Sequence, residues 1–534
     1  MVGKMNIERI ELLARSKLEG FLNRIGYVTP EISANDKSPS WDGNIRLYND
    51  KDSSEKNNLA KMIPLQLKGH YANPPYSNLI SFSIETADLQ NYFNHNGVIF
   101  FVVYLNENDD YQIYYNALSP FKIRRLMKGK ENQKSISVHL DILPDDKDET
   151  VDIFFNFAND MKMQLPEKDF TLEDVFKNKL LGFDTFNLSY TGIKYKDDPI
   201  GYFLNHPATV TLKHSATGIT IPLDTILLEA FGSNLNKTIS VNGIKFFDNF
   251  DLIRHKDNLF EMKFGKSFTY TLQKTENRVI GNFHYNLQGN LPERIHDTKF
   301  LIAYLENKEF EIDNHKGFNL KDSDINEKKV DIDYFKNSLT LLEKIDELLN
   351  KLKITSILDY DKVTEKDEET FINLINTVLL EMPCNPTDPD KLYKITIANI
   401  TFLLIAKRIN ENKYKIINFF SEENNADCAF TYKSENETKK MFRIPPSFVL
   451  RKNDFSILDN IDYEIMYNDI ISNQTSDELK EYTLYLIDEI IEGYKIRTKN
   501  KEQMKDFILK ALQYLSENVN EYDYEKIKND MINL

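Results

Sequence analysis

The chain has 534 residues, of which 41% are hydrophobic and 12% aromatic, and it carries a formal net charge of -16. A chain of this length is expected to form roughly three domains of about 150 residues each, and its apolar content excludes disorder over most of its length. No run approaches the about 18 apolar residues of a membrane span, and the N-terminus lacks the apolar core of a signal peptide. We therefore expect a cytoplasmic protein without a membrane partner. The two cysteines, Cys384 and Cys428, indicate neither a disulfide framework nor a zinc site.

The first predicted element is an amphipathic helix over residues 7–25. Apolar residues recur at steps of three and four along it, and Gly26 is a natural stop signal. The helix also carries two acidic residues, Glu11 and Glu19, eight positions apart and therefore at similar azimuths. Periodicity alone does not decide which of them faces the rest of the domain.

The next predicted element is an antiparallel hairpin that carries the most informative polar residues of the chain. Apolar and polar residues alternate over 63–68, so that Gln66 and Lys68 share one face of a strand. A second alternating segment follows Asp42, and the polar run 49–58 between the two segments has the composition of a hairpin loop. The pattern therefore places Asp42 at a strand end, beside the strand of Gln66 and Lys68.

Further α/β elements complete an N-terminal domain over residues 1–144. Residues 79–84 alternate like a strand, 97–105 are apolar almost throughout, as in a central buried strand, and 111–115 predict one more strand. The charged run from Pro144 to Thr150 has the composition of a linker.

The remainder of the chain divides by pattern into a β-rich part and a mainly helical part. Period-two alternation in several segments between 150 and 325, with a turn signal at Asn242-Gly243, predicts a β-sandwich or barrel-like domain. Beyond 330, apolar stripes at helical spacing predict a mixed, mainly helical region over 330–534 with a regulatory or partner-binding role. The fold class expected for the whole chain is α+β.

Charge is distributed unevenly between these parts. Residues 1–144 carry 17 Lys and Arg against 16 Asp and Glu, whereas the remaining residues carry 50 against 67. Phosphate contacts need cations, so the near-neutral N-terminal part is the candidate for nucleic-acid binding. It contains a basic cluster, which is either a phosphate-binding surface or an ordinary solvated helix face and consists of Lys122, Arg124, Arg125, Lys128 and Lys130.

The hairpin residues have the chemistry of metal-assisted phosphodiester cleavage. The Asp42 carboxylate, the Gln66 amide oxygen and the Leu67 backbone carbonyl are oxygen donors of the kind that hold Mg²⁺, with water completing the shell. Lys68 beside such a metal can orient or help to deprotonate the attacking water and offset charge on the phosphate. Glu11, or alternatively Glu19, can add a ligand from the first helix.

Together these motifs resemble the PD-(D/E)XK nuclease superfamily. The order is a Glu-containing helix, Asp42-Gly43, a hairpin, Gln66-Leu67-Lys68-Gly69 and the apolar strand at 98–105, and the resemblance covers about residues 5–125. It is closest to a bacterial branch whose third motif reads Gln-x-Lys, a former domain of unknown function. The resemblance implies a restriction-endonuclease-like fold, with Asp42 and Gln66 as metal-ligand positions and Lys68 as the catalytic lysine. Most of the superfamily has Asp or Glu in place of Gln66, so a lower metal affinity is expected.

The function expected from this resemblance is a Mg²⁺-dependent nuclease, with Mn²⁺ as an alternative metal and DNA as the expected substrate. Members of the branch are often fused to further domains in prokaryotic defence proteins, which implies an effector of an antiphage or anti-plasmid system. The acidic C-terminal region is then a candidate surface for a protein partner or for homo-oligomerisation. Two alternatives stay open: a non-catalytic nucleic-acid-binding or assembly protein with a nuclease-like fold, and an unrelated interaction protein in which the three residues only form a polar sheet face.

Overall fold

The structure is a computed structural model in which the chain forms two compact units. The first unit comprises residues 1–231 and 254–257, and the second comprises 232–253 and 258–534. No helix among the described residues is long and apolar enough to cross a membrane. The structure describes residues 6–33, 40–163, 183–188, 191–274, 279–313, 315–319, 331–389, 391–411, 413–424, 428–434, 437–472, 477–517 and 529.

The first unit begins with a mixed α/β arrangement of helices and strands. The elements of its N-terminal part are α1 (Ile7–Leu22), β1 (Val28–Ile32), β2 (Gly43–Tyr48), β3 (Leu59–Tyr71), β4 (Leu79–Glu85), α2 (Thr86–Asn94), β5 (Val98–Leu105), β6 (Tyr111–Leu118), α3 (Pro120–Met127), β7 (Ser135–Ile142) and α4 (Lys147–Asp160). They are followed by β8 (Phe183–Leu188), α5 (Pro199–Asn205), β9 (Ala208–His214) and β10 (Thr220–Ile226).

The strands β1 to β7 form one mixed sheet in the order β1-β2-β3-β5-β6-β7-β4. β3 and β5 are parallel, whereas β2 and β3 form the predicted antiparallel hairpin with Gly43 opposite Leu65. The predicted central strand is confirmed, because β5 lies between β3 and β6 and is buried along almost its whole length.

Each face of this sheet packs into its own apolar core. Leu65 and Phe101 point to the face covered by α1 and α4, where they belong to one core with Leu18 and Phe154. Phe100 points to the opposite face, where its core includes residues of α2 and α3 and of the strands β4 and β7 of the same sheet. This division follows from the period-two alternation of side chains along a strand, and it places α1 and α2 on opposite sides of β3.

Helix α1 confirms the predicted amphipathic helix, but it ends at Leu22 and not at residue 25. Asn6 caps its N-terminus by accepting a hydrogen bond from the backbone N–H of Glu8, and Ala14, Leu18 and Leu22 are fully buried. Cap and stripe together fix the start and the orientation of the helix.

One glycine in α1 is a site for stabilisation. A Cβ atom added at Gly20 meets no atom within 4 Å. Gly20→Ala is therefore expected to raise the free energy of unfolding by about 0.5–1 kcal/mol, because alanine loses less backbone entropy in a helix. The measurement is the midpoint of urea unfolding followed through Trp41, the only tryptophan of the chain. An unchanged or lower midpoint would contradict this expectation.

The prediction of a linker from Pro144 to Thr150 is wrong. The Asp146 side chain accepts hydrogen bonds from the backbone N–H groups of Asp148 and Glu149 and so caps α4, which packs on the N-terminal sheet through Phe154. The carboxylate of Asp152, 1% exposed, accepts from the backbone N–H groups of residues 193 and 194 and ties them to α4.

The predicted domain boundaries lie at residues 144, 150, 325 and 330. The boundary at 144 lies inside the first unit and the one at 150 inside α4, while those at 325 and 330 lie outside the described residues. The three-domain division therefore stays a prediction.

From residue 230 onward, antiparallel strands are followed mainly by helices. The five-stranded sheet has the order β11-β14-β15-β16-β17 and the four-stranded sheet the order β13-β12-β18-β19. The elements are β11 (Ala230–Leu235), β12 (Ile239–Val241), β13 (Ile244–Phe247), β14 (Phe250–His255), β15 (Leu259–Phe264), β16 (Phe268–Lys274), β17 (Val279–Tyr285), α6 (Leu291–Asn307), β18 (Glu309–Ile312), β19 (His315–Asn319), α7 (Ile332–Lys351), α8 (Glu365–Leu374), β20 (Tyr393–Ile397), β21 (Ile400–Asn410), β22 (Lys413–Asn418), β23 (Cys428–Ser434), β24 (Glu437–Ile444), α9 (Lys452–Ile457), α10 (Tyr463–Ser472), α11 (Asp477–Ile496) and α12 (Lys501–Ser516).

The second unit is built around three apolar cores. Helix α6 packs on both sheets through an aromatic cluster that includes Phe264, Phe268 and Phe300, and the other two cores lie in the helical part. The hairpin turn predicted at Asn242-Gly243 joins β12 to β13, with both residues at positive φ as a type I′ turn requires. The structure as a whole is mixed α and β, with a mixed sheet at the N-terminus and helices concentrated towards the C-terminus.

Candidate active site

Asp42 directly precedes the first residue of β2, so it lies at the N-terminal end of that strand, where pairing with β3 begins. Its backbone N–H donates to the Leu65 carbonyl oxygen at 3.1 Å, and its backbone carbonyl accepts from Ser33 at 2.8 Å. Among the described residues, no strand pairs with β3 on that side beyond Leu65. There the Asp42 carboxylate accepts from the backbone N–H of Leu67 at 2.8 Å. The side chain of Asp42 thus takes the place of a strand and is held against the sheet edge.

The Leu67 carbonyl oxygen faces the same open edge. The N–H and C=O of one residue in a strand point to the same side, and the N–H of Leu67 points to Asp42. The Gln66 side-chain nitrogen donates to this oxygen over a long distance of 3.4 Å. A carboxylate and a backbone carbonyl therefore converge at the end of β2.

Gln66 is 3% exposed, and its amide is held at both ends. The amide nitrogen donates to the Asp42 carboxylate, and the amide oxygen accepts from the Tyr92 hydroxyl at 3.5 Å. Burial raises the pKa of the Tyr92 phenol well above its ordinary value, and the negative charges of Asp88 and Asp42 add to that shift. Tyr92 therefore stays a neutral hydroxyl, and the Asp42 carboxylate, which can only accept, favours the amide orientation in which the nitrogen faces Asp42.

Lys68 lies two residues further along β3, on the same face as Gln66. It is exposed and makes no ion pair with any residue that the structure describes. The alternation predicted for 63–68 is confirmed, since Ile63 and Leu65 are buried in the core on the opposite face. An uncommitted ammonium group thus lies beside the pair of Asp42 and Gln66.

The first helix brings Glu11 to these residues and leaves Glu19 engaged elsewhere. Glu11 is exposed and lines the same cleft as Asp42 and Lys68. Glu19 accepts from Arg15 at 2.8 Å one helical turn away. Of the two acids that the sequence left open, Glu11 is the one positioned at the cleft.

These side chains line one cleft of about 280 Å³. Among the residues that the structure describes, the charged lining consists of Arg15, Lys68 and four acids, namely Glu8, Glu11, Asp42 and Asp88. Carboxylates outnumber cations in this described lining, which favours a cation over a bare phosphate.

Sequence reasoning did not single out three charged residues of the cleft, namely Glu8, Arg15 and Asp88. Of these, Asp88 is the one that does not come from the first helix. It lies on α2, and its Oδ1 atom accepts from the Ser40 hydroxyl at 2.6 Å. Asn91 also donates to the Ser40 hydroxyl, at 2.9 Å, so the segment before Asp42 is attached to α2. A weak signal was present, because Asp88 and Tyr92 are four residues apart and share a helix face.

The donor atoms at the end of β2 fit a cation that needs few protein ligands. Within the described residues, no three His, Cys, Asp or Glu side chains form a metal-binding group. Mg²⁺, however, usually keeps several waters and needs only one or two carboxylates, and Asp42 with the Leu67 carbonyl supplies hard oxygen donors. In the present orientation Gln66 directs its nitrogen to Asp42, so its amide must turn before its oxygen can join them.

The basic cluster predicted from the sequence does not form one exposed face. Lys128 and Lys130 are exposed, whereas the other three side chains are half-buried. Arg125 donates to the Leu223 carbonyl at 3.3 Å, and Lys122 lowers the pKa of the neighbouring Asp160 carboxyl through its charge. At least part of the cluster therefore has a structural role, and its binding of nucleic acid stays a prediction.

The carboxyl beside Lys122 gives a testable pH dependence. Burial raises the pKa of Asp160 to about 6 despite the opposing effect of Lys122. The folded state therefore binds the proton more tightly than the unfolded state, and stability falls as pH rises from about 4 to about 6. Asp160→Asn is expected to raise the free energy of unfolding by roughly 1–3 kcal/mol at pH 8 and by little at pH 4. The readout is the urea midpoint at both pH values, and an equal effect at both would contradict the burial argument.

Comparison of the chain with protein-family models, with curated proteins and with solved structures finds no match in any of the three.

Proposed function

We propose that this chain is a divalent-metal-dependent nuclease that hydrolyses phosphodiester bonds, with DNA as its substrate and a role as an effector in prokaryotic defence. One observation carries the proposal. Asp42, Gln66 and Lys68, which the sequence singles out from two separate strands, line a single cleft at the point where β2 leaves β3. The resemblance to PD-(D/E)XK nucleases adds the reaction type and a restriction-endonuclease-like fold.

Each residue of the cleft has a distinct task in this proposal. Lys68 is exposed and unpaired among the described side chains, so its ammonium can contact a phosphate oxygen and stabilise the charge that develops there. The Asp42 carboxylate and the Leu67 carbonyl would hold Mg²⁺, with Glu11 approaching from α1. The buried amide of Gln66 keeps Asp42 in place through the bond to its carboxylate. When bound, the metal supplies Lewis-acid polarisation of the phosphate and a more acidic water.

The experiment that tests this proposal uses the wild-type chain. Supercoiled plasmid, linear duplex DNA, single-stranded DNA and RNA are incubated with Mg²⁺, with Mn²⁺ or with EDTA. Cleavage of DNA with either metal and none with EDTA is the expected result. Cleavage that persists in EDTA, or none of any substrate with either metal, would contradict the proposal. Preferential cleavage of RNA would support phosphodiester hydrolysis but contradict DNA as the substrate.

A second candidate function is favoured by the orientation of Gln66. Because the amide nitrogen faces Asp42, the cleft is complete as a hydrogen-bonded site without a metal. Such a chain binds nucleic acid or a partner with a disabled nuclease site. Salt-dependent binding of DNA without cleavage under either metal would favour this function over the first.

A further inference from the structure

Asp88 places a carboxylate in the candidate cleft from α2, which lies on the opposite side of the sheet to α1 and its Glu11. It projects from α2, and it lines the cleft together with Asp42. The Ser40 hydroxyl donates to its Oδ1 atom at 2.6 Å. Its Oδ2 atom has no hydrogen-bond partner among the described residues. One oxygen therefore fixes the side chain, and the other is available to a ligand in the cleft.

The segment that carries Asp42 is attached to α2 beside Asp88. Ser40, which donates to Asp88, lies two residues before Asp42, and the ring centroid of Trp41 lies 5.9 Å from that of Tyr92 on α2. Tyr92 in turn donates to the Gln66 amide oxygen at 3.5 Å. Asp42, Gln66 and Asp88 line the same cleft, so two of its carboxylates share it with a neutral amide.

The neutral amide is the unusual member of this group. A carboxylate at Gln66 would place a second negative charge directly beside Asp42, whereas glutamine leaves that part of the cleft one charge short. Affinity for a hard cation rises with the number of charged oxygen ligands. A carboxylate reaching the same volume from another element can replace the missing charge.

We propose that Asp88 supplies the negative charge that Gln66 lacks and that it holds the same divalent cation as Asp42, directly or through one water molecule. The inference rests on the proposed function, since it concerns the cation of that site. It assigns to α2 a binding role in addition to its packing role, and it predicts that the charge can be moved between positions 88 and 66.

The test measures metal binding without nucleic acid and without turnover. Trp41 is the only tryptophan of the chain, it precedes Asp42 directly, and its ring centroid lies 5.9 Å from that of Tyr92. Its fluorescence is therefore a local probe for titration with Mg²⁺ or Mn²⁺ alone, and isothermal calorimetry provides a second measurement that does not depend on the probe. The proteins are the wild type, Asp88→Asn, Gln66→Glu, the double variant with both changes, and Asp50→Asn as a control for an exposed carboxylate outside the cleft.

Asp88→Asn is expected to weaken metal binding by about 10- to 100-fold, and Gln66→Glu alone is expected to strengthen it. The double variant should return to within about threefold of the wild type, because the charge has been moved rather than lost. Asparagine still accepts the Ser40 hydroxyl bond, so the fold should be kept, which the urea midpoint checks. Asp50→Asn should bind like the wild type.

Three outcomes would overturn the inference. If Asp88→Asn binds the metal with wild-type affinity, Asp88 does not hold the cation, and the nuclease proposal is unaffected. Weakened binding that Gln66→Glu does not restore would reduce Asp88 to a positioning residue that acts through Ser40. No metal binding by the wild type in either measurement would overturn both the inference and the proposed function.

Discussion

Replacing Asp42 by asparagine is expected to lower metal-dependent cleavage by roughly 10²–10³-fold, the range seen when one charge-stabilising group is removed from an active site. The change removes the negative charge that attracts the cation. It keeps an oxygen that can accept from the Leu67 N–H, the bond that measures 2.8 Å in the structure. The measurement is the single-turnover rate of plasmid cleavage at saturating enzyme and fixed Mg²⁺ concentration.

The control for this variant is its stability. Because the hydrogen bonds at the end of β2 are retained, the urea midpoint of Asp42→Asn is expected to stay close to that of the wild type. If the substitution lowers the affinity for the cation, a tenfold higher Mg²⁺ concentration should recover part of the cleavage rate. A cleavage rate equal to that of the wild type would show that the reaction takes place elsewhere in the chain.

Replacing Gly43 by alanine is expected to destabilise the first unit by roughly 2–4 kcal/mol, from backbone strain and a steric clash together. Gly43 has φ +156°, and a Cβ atom there would collide with the backbone carbonyl oxygen of Glu31 and lie 2.9 Å from the Ile32 Cα. The backbone of β1 cannot move aside without breaking its pairing with β2. Since Asp42 is the preceding residue, cleavage should fall together with stability.

The urea midpoint followed through Trp41 measures this loss, and Gly129→Ala is its matched control. Gly129 also has positive φ, +72°, but a Cβ atom there meets nothing within 4 Å. Gly129→Ala is therefore expected to cost only the strain of the left-handed backbone, about 1 kcal/mol, and to leave cleavage unchanged. Equal losses for the two variants would show that the contact with β1 is not what makes Gly43 necessary.

The parts of the site that sequence could predict are those set by local pattern. Alternation along one strand puts Gln66 and Lys68 on one face, and a polar loop between two alternating segments makes a hairpin that brings Asp42 beside them. Both features depend on residues close in sequence. The structure therefore has this hairpin with Asp42 at its end, as predicted.

Asp88 could not be predicted because its position depends on how a helix docks. Periodicity gives the apolar face of α2, with Leu89 and Tyr92 buried, but not the distance between its polar residues and the sheet edge. That distance is set by packing against α3 and the strands of the second core. The same reason explains the choice between Glu11 and Glu19, which became possible only once Arg15 was seen to bind Glu19.

The mistaken linker shows how a charged run can be misread. Acidic residues after a proline have the composition of a connecting loop, but they are also typical of a helix N-terminus, where Asp146 accepts backbone hydrogen bonds. The apolar residues of α4 that follow, including Phe154 and Phe157, belong to the core of the N-terminal sheet. A cap followed by an apolar stripe is better evidence for a helix than composition is for a linker.

Plasmid cleavage by Lys68→Ala compared with Lys56→Ala under Mg²⁺ tests most directly whether this cleft is the active site. Both lysines are exposed and each change removes one positive charge, but only Lys68 lines the cleft with Asp42 and Gln66. We expect the cleavage rate to fall by roughly 10²–10³-fold in Lys68→Ala and to stay unchanged in Lys56→Ala. The urea midpoints of the two variants should be similar. Equal cleavage by the two variants would contradict the assignment of this cleft as the active site.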